Sequence, residues 1–339
     1  MSSYKQFLAV QIIGATILSV IALGALWFFL GWFQKPATSP VVRVEEAKPQ
    51  HGAEESEAAK HPAAVPTIHV PAHEAPHAVP KISTMPLESK LKGTAFVEAT
   101  ISVLDYELNK RFFGWRRNDL VRFTDNVENV QLGVLEVVRR ASVNLAERIS
   151  RHGATDIIDK NLENAMNWFM IKPDRYWLPS AEEKYNVGLE ELHEYARKLK
   201  KGEARFYTRT DNLIPLLVSF ADLLGGCDEN LVKAKEEDGS PVSWFKVDDY
   251  FYYAKGVARA MGNILEAVSK DFSGVLEARY GIDLLEHAIH ACHVGAELDP
   301  WLVTDASLDG VLANHRANMA ASISHARYFL DALAKTLST

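Results

Sequence analysis

Between Phe7 and Phe33 the chain runs for 27 residues without a single charge, as FLAVQIIGATILSVIALGALWFFLGWF. No other feature limits the fold so strongly. At a rise of ~1.5 Å per residue a helix of this length spans ~40 Å, enough to cross a hydrocarbon core of ~30 Å with tilt. Gln11, Thr16 and Ser19 are polar exceptions that a helix interior tolerates, and Trp27 and Trp32 sit at the distal end, where indole rings favour the headgroup boundary. A cleaved signal peptide has an apolar core of about 7–15 residues followed by a small-residue cleavage site. This run is about twice that length and ends in Gly-Trp-Phe-Gln-Lys. The expectation is a short tail (1–6) and a retained transmembrane helix (7–33).

Its orientation rests on few charges. Lys5 precedes the run, and Lys35, Arg43 and Lys48 follow it. The count leans toward a cytoplasmic carboxyl side. A six-residue tail with one lysine, however, is the kind that bacterial amino-terminal anchors keep inside. The expectation is a single-pass membrane protein with its main domain outside the cytoplasm and the lipid bilayer as its first partner.

Residues 34–90 read as a disordered linker. From Lys35 to Glu88 there are nine prolines, five histidines and no aromatic residue. Proline removes an amide donor and disfavours helix at the residue before it, so no packed core forms. Such a segment reaches ~170 Å fully extended and ~40 Å as a flexible coil. His69, His73 and His77 have helical metal-site spacing, but Pro71 and Pro76 interrupt that helix. A solvated spacer is the simpler reading.

Residues 91–339 carry helical periodicity throughout, which predicts an all-α, multi-helix bundle. Phe96, Ala99, Val103, Tyr106 and Phe113 recur at threes and fours, as do Leu132, Leu135, Val138, Val143, Leu145 and Ile149. Ser180-Ala-Glu-Glu183 is a capping box that opens a helix to about Lys200, with Gly202 as its stop. Asp211-Asn212 is expected to cap the next helix, which ends at Gly225-Gly226. Asp248-Asp249 is expected to cap another, through about Lys270. Further helices are expected over 282–298 and 314–337, with 227–245 as an exposed loop. Net charge is −7 and the basic residues are interleaved with acidic ones, which argues against nucleic-acid binding.

Several strings occur together in a recognisable order: Gly114-Trp-Arg-Arg-Asn-Asp119, Asp125-Asn126 with Gly133-Val-Leu135, and Trp177-Leu-Pro-Ser180. Then come Asp211-Asn-Leu213, Asp248-Asp-Tyr-Phe-Tyr-Tyr-Ala-Lys-Gly256, Leu298-Asp-Pro-Trp301 and Asn314-His315. Behind an amino-terminal anchor, this set resembles a proteobacterial family of single-pass inner-membrane proteins catalogued only as a domain of unknown function. The resemblance implies an envelope location and a Gram-negative source. It carries over no activity, cofactor or catalytic residue.

The candidate chemistry is sparse. His287, His290, Cys292 and His293 lie close together, and zinc or copper accepts imidazole and thiolate. On a helix the three histidines fan across ~120°, so further ligands must come from elsewhere, with His315 and His325 as donors. An amphipathic helix with hydrogen-bonded histidines is the simpler reading. Glu190-x-x-His193 matches half of a di-iron motif, but there is no second copy. Cys227 and Cys292 can pair in an oxidising compartment or stay free. No phosphate loop, nucleophile elbow or zincin motif is present.

The leading expectation is therefore a membrane-anchored scaffold or adaptor, with no cofactor, catalytic residue or metal site assigned. Its partner would be an envelope protein, met through Trp115, Arg116, Arg117, Tyr250 and Tyr252, with one or two of the four aromatics at 250–253 exposed. The alternatives are a metal-dependent enzyme built on His287, His290 and His315, and a membrane-shaping helical protein. The sequence leaves oligomeric state open.

Overall fold

Among the described residues the chain forms nine α-helices: α1 (Thr94–Asp105), α2 (Asn126–Asn144), α3 (Lys160–Phe169), α4 (Ala181–Lys201), α5 (Thr210–Val232), α6 (Trp244–Asp271), α7 (Ser273–Ala278), α8 (Ile282–Glu297) and α9 (His315–Ser338). α1 and α2 each run on into one π-helical turn, Tyr106–Lys110 and Leu145–Ile149. This computed structural model describes residues 92–117, 125–153, 155–175, 179–306 and 313–339. The expected transmembrane helix (7–33) and linker (34–90) lie outside them. Among the described residues no helix is long and apolar enough to cross a membrane. Instead of strands they contain two isolated bridges, Lys235 with Pro241 and Asp305 with Asn314. The all-α expectation holds for this part of the chain.

The longest helix, α6, organises the rest. At 28 residues it spans ~42 Å, and it buries side chains on every face, from Val247 and Phe251 through Ala260 and Ile264 to Val268. It packs against α1, α2 and α8; α5 pairs with α9, α8 with α9, and α3 with α4. Where α2 crosses α6 there is no room for side chains. A Cβ on Gly256 would lie 2.1 Å from the Val130 carbonyl oxygen, and one on Gly133 would lie 2.2 Å from that of Tyr253. Two glycines thus let the backbones touch, and this fixes the relative height of the two helices.

Local signals placed several helices correctly. Ser180 Oγ accepts from the Glu183 amide at 3.1 Å, and α4 stops at Gly202 in the left-handed region, φ 73°. Asn314 caps α9 by accepting from the Ala317 amide at 2.8 Å. In α2 and its π turn, Leu135, Val138, Leu145 and Ile149 are buried as expected.

Other expectations are corrected. α5 does not stop at Gly225-Gly226 but continues to Val232, because Cys227 and Leu231 extend its buried stripe. Gly225 faces the Arg327 guanidinium of α9, so the glycines serve helix approach and not termination. Asp211-Asn212 lies inside the first turn, after Arg209 at the N-cap. The exposed loop therefore shrinks to residues 233–243. α6 begins at Trp244, capped by Ser243, so Asp248 and Asp249 lie one turn inside the helix rather than at its cap. In α1 the buried stripe is Val97, Ile101, Leu104 and Leu108 with Phe96, while Tyr106 and Phe113 are exposed. Both stripes have helical spacing, and the one richer in branched aliphatics is buried against α4 and α6.

An ionic clasp joins α1 to α6. The carboxylate of Glu107, fully buried in the π turn, accepts from Arg111 Nε at 2.5 Å and from the Arg259 guanidinium of α6. Both guanidiniums also sit against the Tyr106 ring, 5.5 and 5.8 Å from its centroid. Two cations on one buried carboxylate satisfy it at both oxygens.

Candidate functional site

At the start of α6 the chain turns its largest apolar side chains outward. Trp244 and Phe245 lie in the first turn, both exposed, with rings 5.5 Å apart. The connection after α8 crosses beside them as a strap. Lys255 Nζ meets Asp299 Oδ1 at 2.7 Å, Tyr252 Oη donates to the Pro300 carbonyl at 3.4 Å, and Trp244 Nε1 donates to the Val303 carbonyl at 2.9 Å. Its far end is tied to α9 by Asp305 and Arg316, 2.9 Å apart. Val303 is thereby buried, while Trp301 is left 99 % exposed with Leu302 beside it. Pro300 directs this geometry, since it cannot continue α8 and presets an extended approach to Trp301. Trp244 and Phe245 on α6, and Trp301 and Leu302 on the strap that Trp244 holds, are the exposed apolar side chains at this end of α6, called the aromatic pole below.

The surface expected from sequence is not assembled in that form. Trp115 belongs to the core at 2 % exposure; it stacks edge-on against Tyr185 at 5.3 Å and donates to the Pro173 carbonyl at 3.1 Å. A side chain of that size with its indole N–H satisfied is worth more to the core than to the surface. Arg116 lies over the exposed Phe113 ring, 5.6 Å from its centroid. Arg117 pairs with Glu128 at 3.3 Å. None of Tyr250, Phe251, Tyr252 and Tyr253 is exposed. Tyr250 donates to Glu236 at 3.0 Å beneath Lys233, and Tyr252 is held by the strap. The residues that are exposed, Trp244, Phe245 and Trp301, were passed over; Ser-Trp-Phe at the close of a turn-rich segment and Trp after Pro were the available signals.

One turn beneath the pole three acidic residues lie within electrostatic reach of one another. Asp248 and Asp249 of α6 face Asp125 at the start of α2, and Asn129 Nδ2 donates to Asp249 Oδ1 at 2.6 Å. Burial, then Asp125, then Asp249 push the Asp248 carboxyl up to about 6. Burial and Asp125 likewise raise Asp249, opposed by Asn129 and Arg117. Asp248 lies between Trp244 and Tyr252 on one face of α6, the two side chains that hold the strap.

The histidines go separate ways. His287 Nδ1 donates to the Asp283 carbonyl at 2.6 Å and its ring lies 4.9 Å from that of Phe329. His293 Nε2 meets Glu266 at 2.8 Å, and His315 Nδ1 meets Thr304 Oγ1, also at 2.8 Å. His287, His290 and His325 line a cavity of about 410 Å³ between α8 and α9 with Val294, Tyr328 and Phe329. Among the described residues no three His, Cys, Asp or Glu side chains come together to hold a metal ion. The set His287, His290 and His315 is thus not assembled, because His315 turns to the strap. Cys227 and Cys292 are buried free thiols, each pushed up to about 12 chiefly by burial. Glu190 and His193 face solvent.

No curated protein and no solved structure matches the chain. A family model described as an uncharacterised protein conserved in bacteria (DUF2333) matches residues 71–240 and, in a second overlapping segment, 227–338. The match bears out the resemblance carried by the strings from Gly114 to His315, and the chain belongs to that bacterial family.

Proposed function

We propose that the protein is a membrane-anchored adaptor whose helical domain docks an envelope protein through the aromatic pole. The uncharged run 7–33 supports the anchor and the proline-rich stretch supports the reach. The observation that carries the docking role is Trp301, 99 % exposed on a strap tied down on both sides, next to Trp244 and Phe245. Tryptophan dominates binding hot spots, and large apolar side chains held out in water mark a contact site. Because the strap is already ordered, little conformational freedom is lost on docking.

Site-specific photo-cross-linking in cells tests this. A photoreactive residue at 301 is expected to yield one discrete adduct, and the same residue at exposed position 190 to yield none. No adduct from 301, or the same pattern from both positions, removes the docking role. The anchor and its orientation have their own tests: resistance to alkaline carbonate extraction, and carboxyl-terminal reporters active on only one side of the membrane.

A further inference from the structure

The chain leaves α1 through a short loop that is pinned from beneath and bare on top. After the π turn, the Arg111 amide donates to the Tyr106 carbonyl at 2.7 Å, and the Gly114 amide to the Arg111 carbonyl at 2.9 Å. Gln131 of α2, fully buried, staples the loop from below. Its Nε2 donates to the Gly114 carbonyl at 2.8 Å, and its Oε1 accepts from the Arg116 amide at 2.9 Å. Leu108 and Trp115 on either side belong to the core. Phe112 and Phe113 between them do not: they are 83 % and 72 % exposed, with ring centroids 4.2 Å apart. Phe113 also has φ 72°, a left-handed backbone that a bulky side chain adopts only at a cost. A strained, stapled loop that holds two adjacent phenylalanines in water marks a contact surface.

The charges around the pair are sorted by depth. Glu107 and Glu128 are buried, while their partners Arg111 and Arg117 keep 21 % and 31 % of their side chains in water. Lys110 is 62 % exposed, against 25 % for its partner Asp105. Arg116 lies over the Phe113 ring. Glu182 of α4 approaches from the other side, its Oε1 3.5 Å from where a Cβ on Gly114 would stand. Phenylalanine has no polar handle, and protein hot spots favour tryptophan, tyrosine and arginine. An apolar tip flanked by lysine and arginine suits the boundary between headgroups and acyl chains instead, where it sinks ~5–10 Å and the cations meet anionic lipid. The chain ahead of α1 favours lipid as well. Its uncharged run 7–33 supports an anchor, and a linker of ~40 Å as a coil keeps the domain near that bilayer.

We propose that Phe112 and Phe113 are a second membrane contact, which the loop 111–116 inserts into the interface of a bilayer containing anionic lipid. The pair shares no residue with the aromatic pole, so lipid contact and protein docking are separable. Lipid contact depends on the anchor reading for its setting, and carbonate extraction decides that reading by itself.

Photo-cross-linking of the full-length chain in lipid nanodiscs tests the contact. A benzoylphenylalanine at position 112 keeps an aromatic side chain there and reacts with acyl C–H groups. In discs containing phosphatidylglycerol it is expected to give a lipid adduct by mass spectrometry. The yield should be several-fold above that from the same residue at position 328, where α9 carries a tyrosine 66 % exposed. Discs of phosphatidylcholine alone, or Phe113→Ser beside the photoreactive residue, are expected to lower the adduct several-fold. Equal yields from 112 and 328, equal yields in the two lipids, or a yield that ignores Phe113→Ser overturns the contact. A protein adduct from 112 in cells, without a lipid adduct, gives the pair to a protein partner and overturns it too. Should the chain prove to lack an anchor, flotation with added phosphatidylglycerol vesicles takes the place of the discs, and flotation unchanged by Phe112→Ser and Phe113→Ser together overturns the contact.

Discussion

Two acidic sites lie along α6 about three turns apart and are built on opposite rules. At one, the Glu107 carboxylate is fully buried and shared by Arg111 and Arg259. At the other, Asp125, Asp248 and Asp249 are half-buried or exposed and like-charged, and Asp249 alone is eased, by the Asn129 amide at 2.6 Å and by Arg117. A carboxylate surrounded by cations ties helices together. A carboxylate set among its own kind takes up a proton within the physiological range. The contrast separates a fastening from a responsive contact on the same helix, about 16 Å apart at the helical rise.

Breaking the fastening has the largest expected effect. Glu107→Ala leaves two guanidiniums without their shared carboxylate, and the loss of one partner from a buried ion pair costs about 3–5 kcal/mol. Both arginines keep partial access to water, at 21 % and 32 %, so the lower end of that range applies. Urea unfolding followed by circular dichroism measures it. A cost below about 1 kcal/mol would erase the distinction between the two sites.

Gly256→Ala tests what holds the two sites in register. Its Cβ would meet the Val130 carbonyl at 2.1 Å, and backbone on both sides cannot yield as a flexible side chain can. Overpacking of this kind costs about 1–3 kcal/mol. Because Asp125 stands at the start of α2, pushing that helix away from α6 is also expected to lower the Asp248 carboxyl toward its ordinary value. A variant of unchanged stability would mean that the crossing is looser than the glycines imply.

The responsive site has a smaller effect and an opposite sign. An aspartate in the unfolded chain has a pKa of ~3.9, whereas Asp248 in the fold is raised to about 6. The folded state therefore holds a proton that the unfolded state gives up. Its stabilising share is complete below pH ~4 and is lost as pH rises through about 6. Asp248→Asn keeps the neutral form throughout. It is expected to stabilise the protein by about 1 kcal/mol at pH 7.5, after allowance for solvent screening, and not at all near pH 4. Unfolding curves at the two pH values give the answer; a variant less stable at pH 7.5 would reverse the assignment.

How much of this was legible in the sequence follows from the range of each interaction. Ser180, Gly202 and Asn314 act within three or four residues of themselves, so α4 and α9 could be placed from local chemistry. The short helices α3 and α7 carry too few turns to establish a period. Gly225-Gly226 looks like a stop signal until α9 is known to pack there. The carboxylate cluster joins positions 125 and 248, which no local pattern connects. Asp248-Asp249 was read as a cap because the true cap, Ser243, lies behind Trp244 and Phe245, two residues that a helix of this kind normally buries. The same blindness to tertiary context exchanged Trp115 for Trp301: each directly follows a turn residue, Gly114 or Pro300, and only packing shows that one is core and the other surface.

That exchange supplies the smallest predicted effect on stability. Trp301 is fully exposed and its side chain forms no hydrogen bond among the described residues, so Trp301→Ala is expected to change unfolding free energy by no more than about 0.5 kcal/mol. The strap should stay in place, because its bonds run through the Pro300 and Val303 carbonyls and the Asp299 carboxylate, none of which the substitution removes. Trp244→Ala differs on this point, since it deletes the donor to Val303. Hydrogen-exchange protection of the strap amides should then fall, while Trp301→Ala leaves it intact. A bulky aromatic kept in water with no structural work to do is the signature of a contact residue. If Trp301→Ala destabilises the fold by 2 kcal/mol or more, the indole is packing against the domain and the pole is a piece of core, not a docking surface.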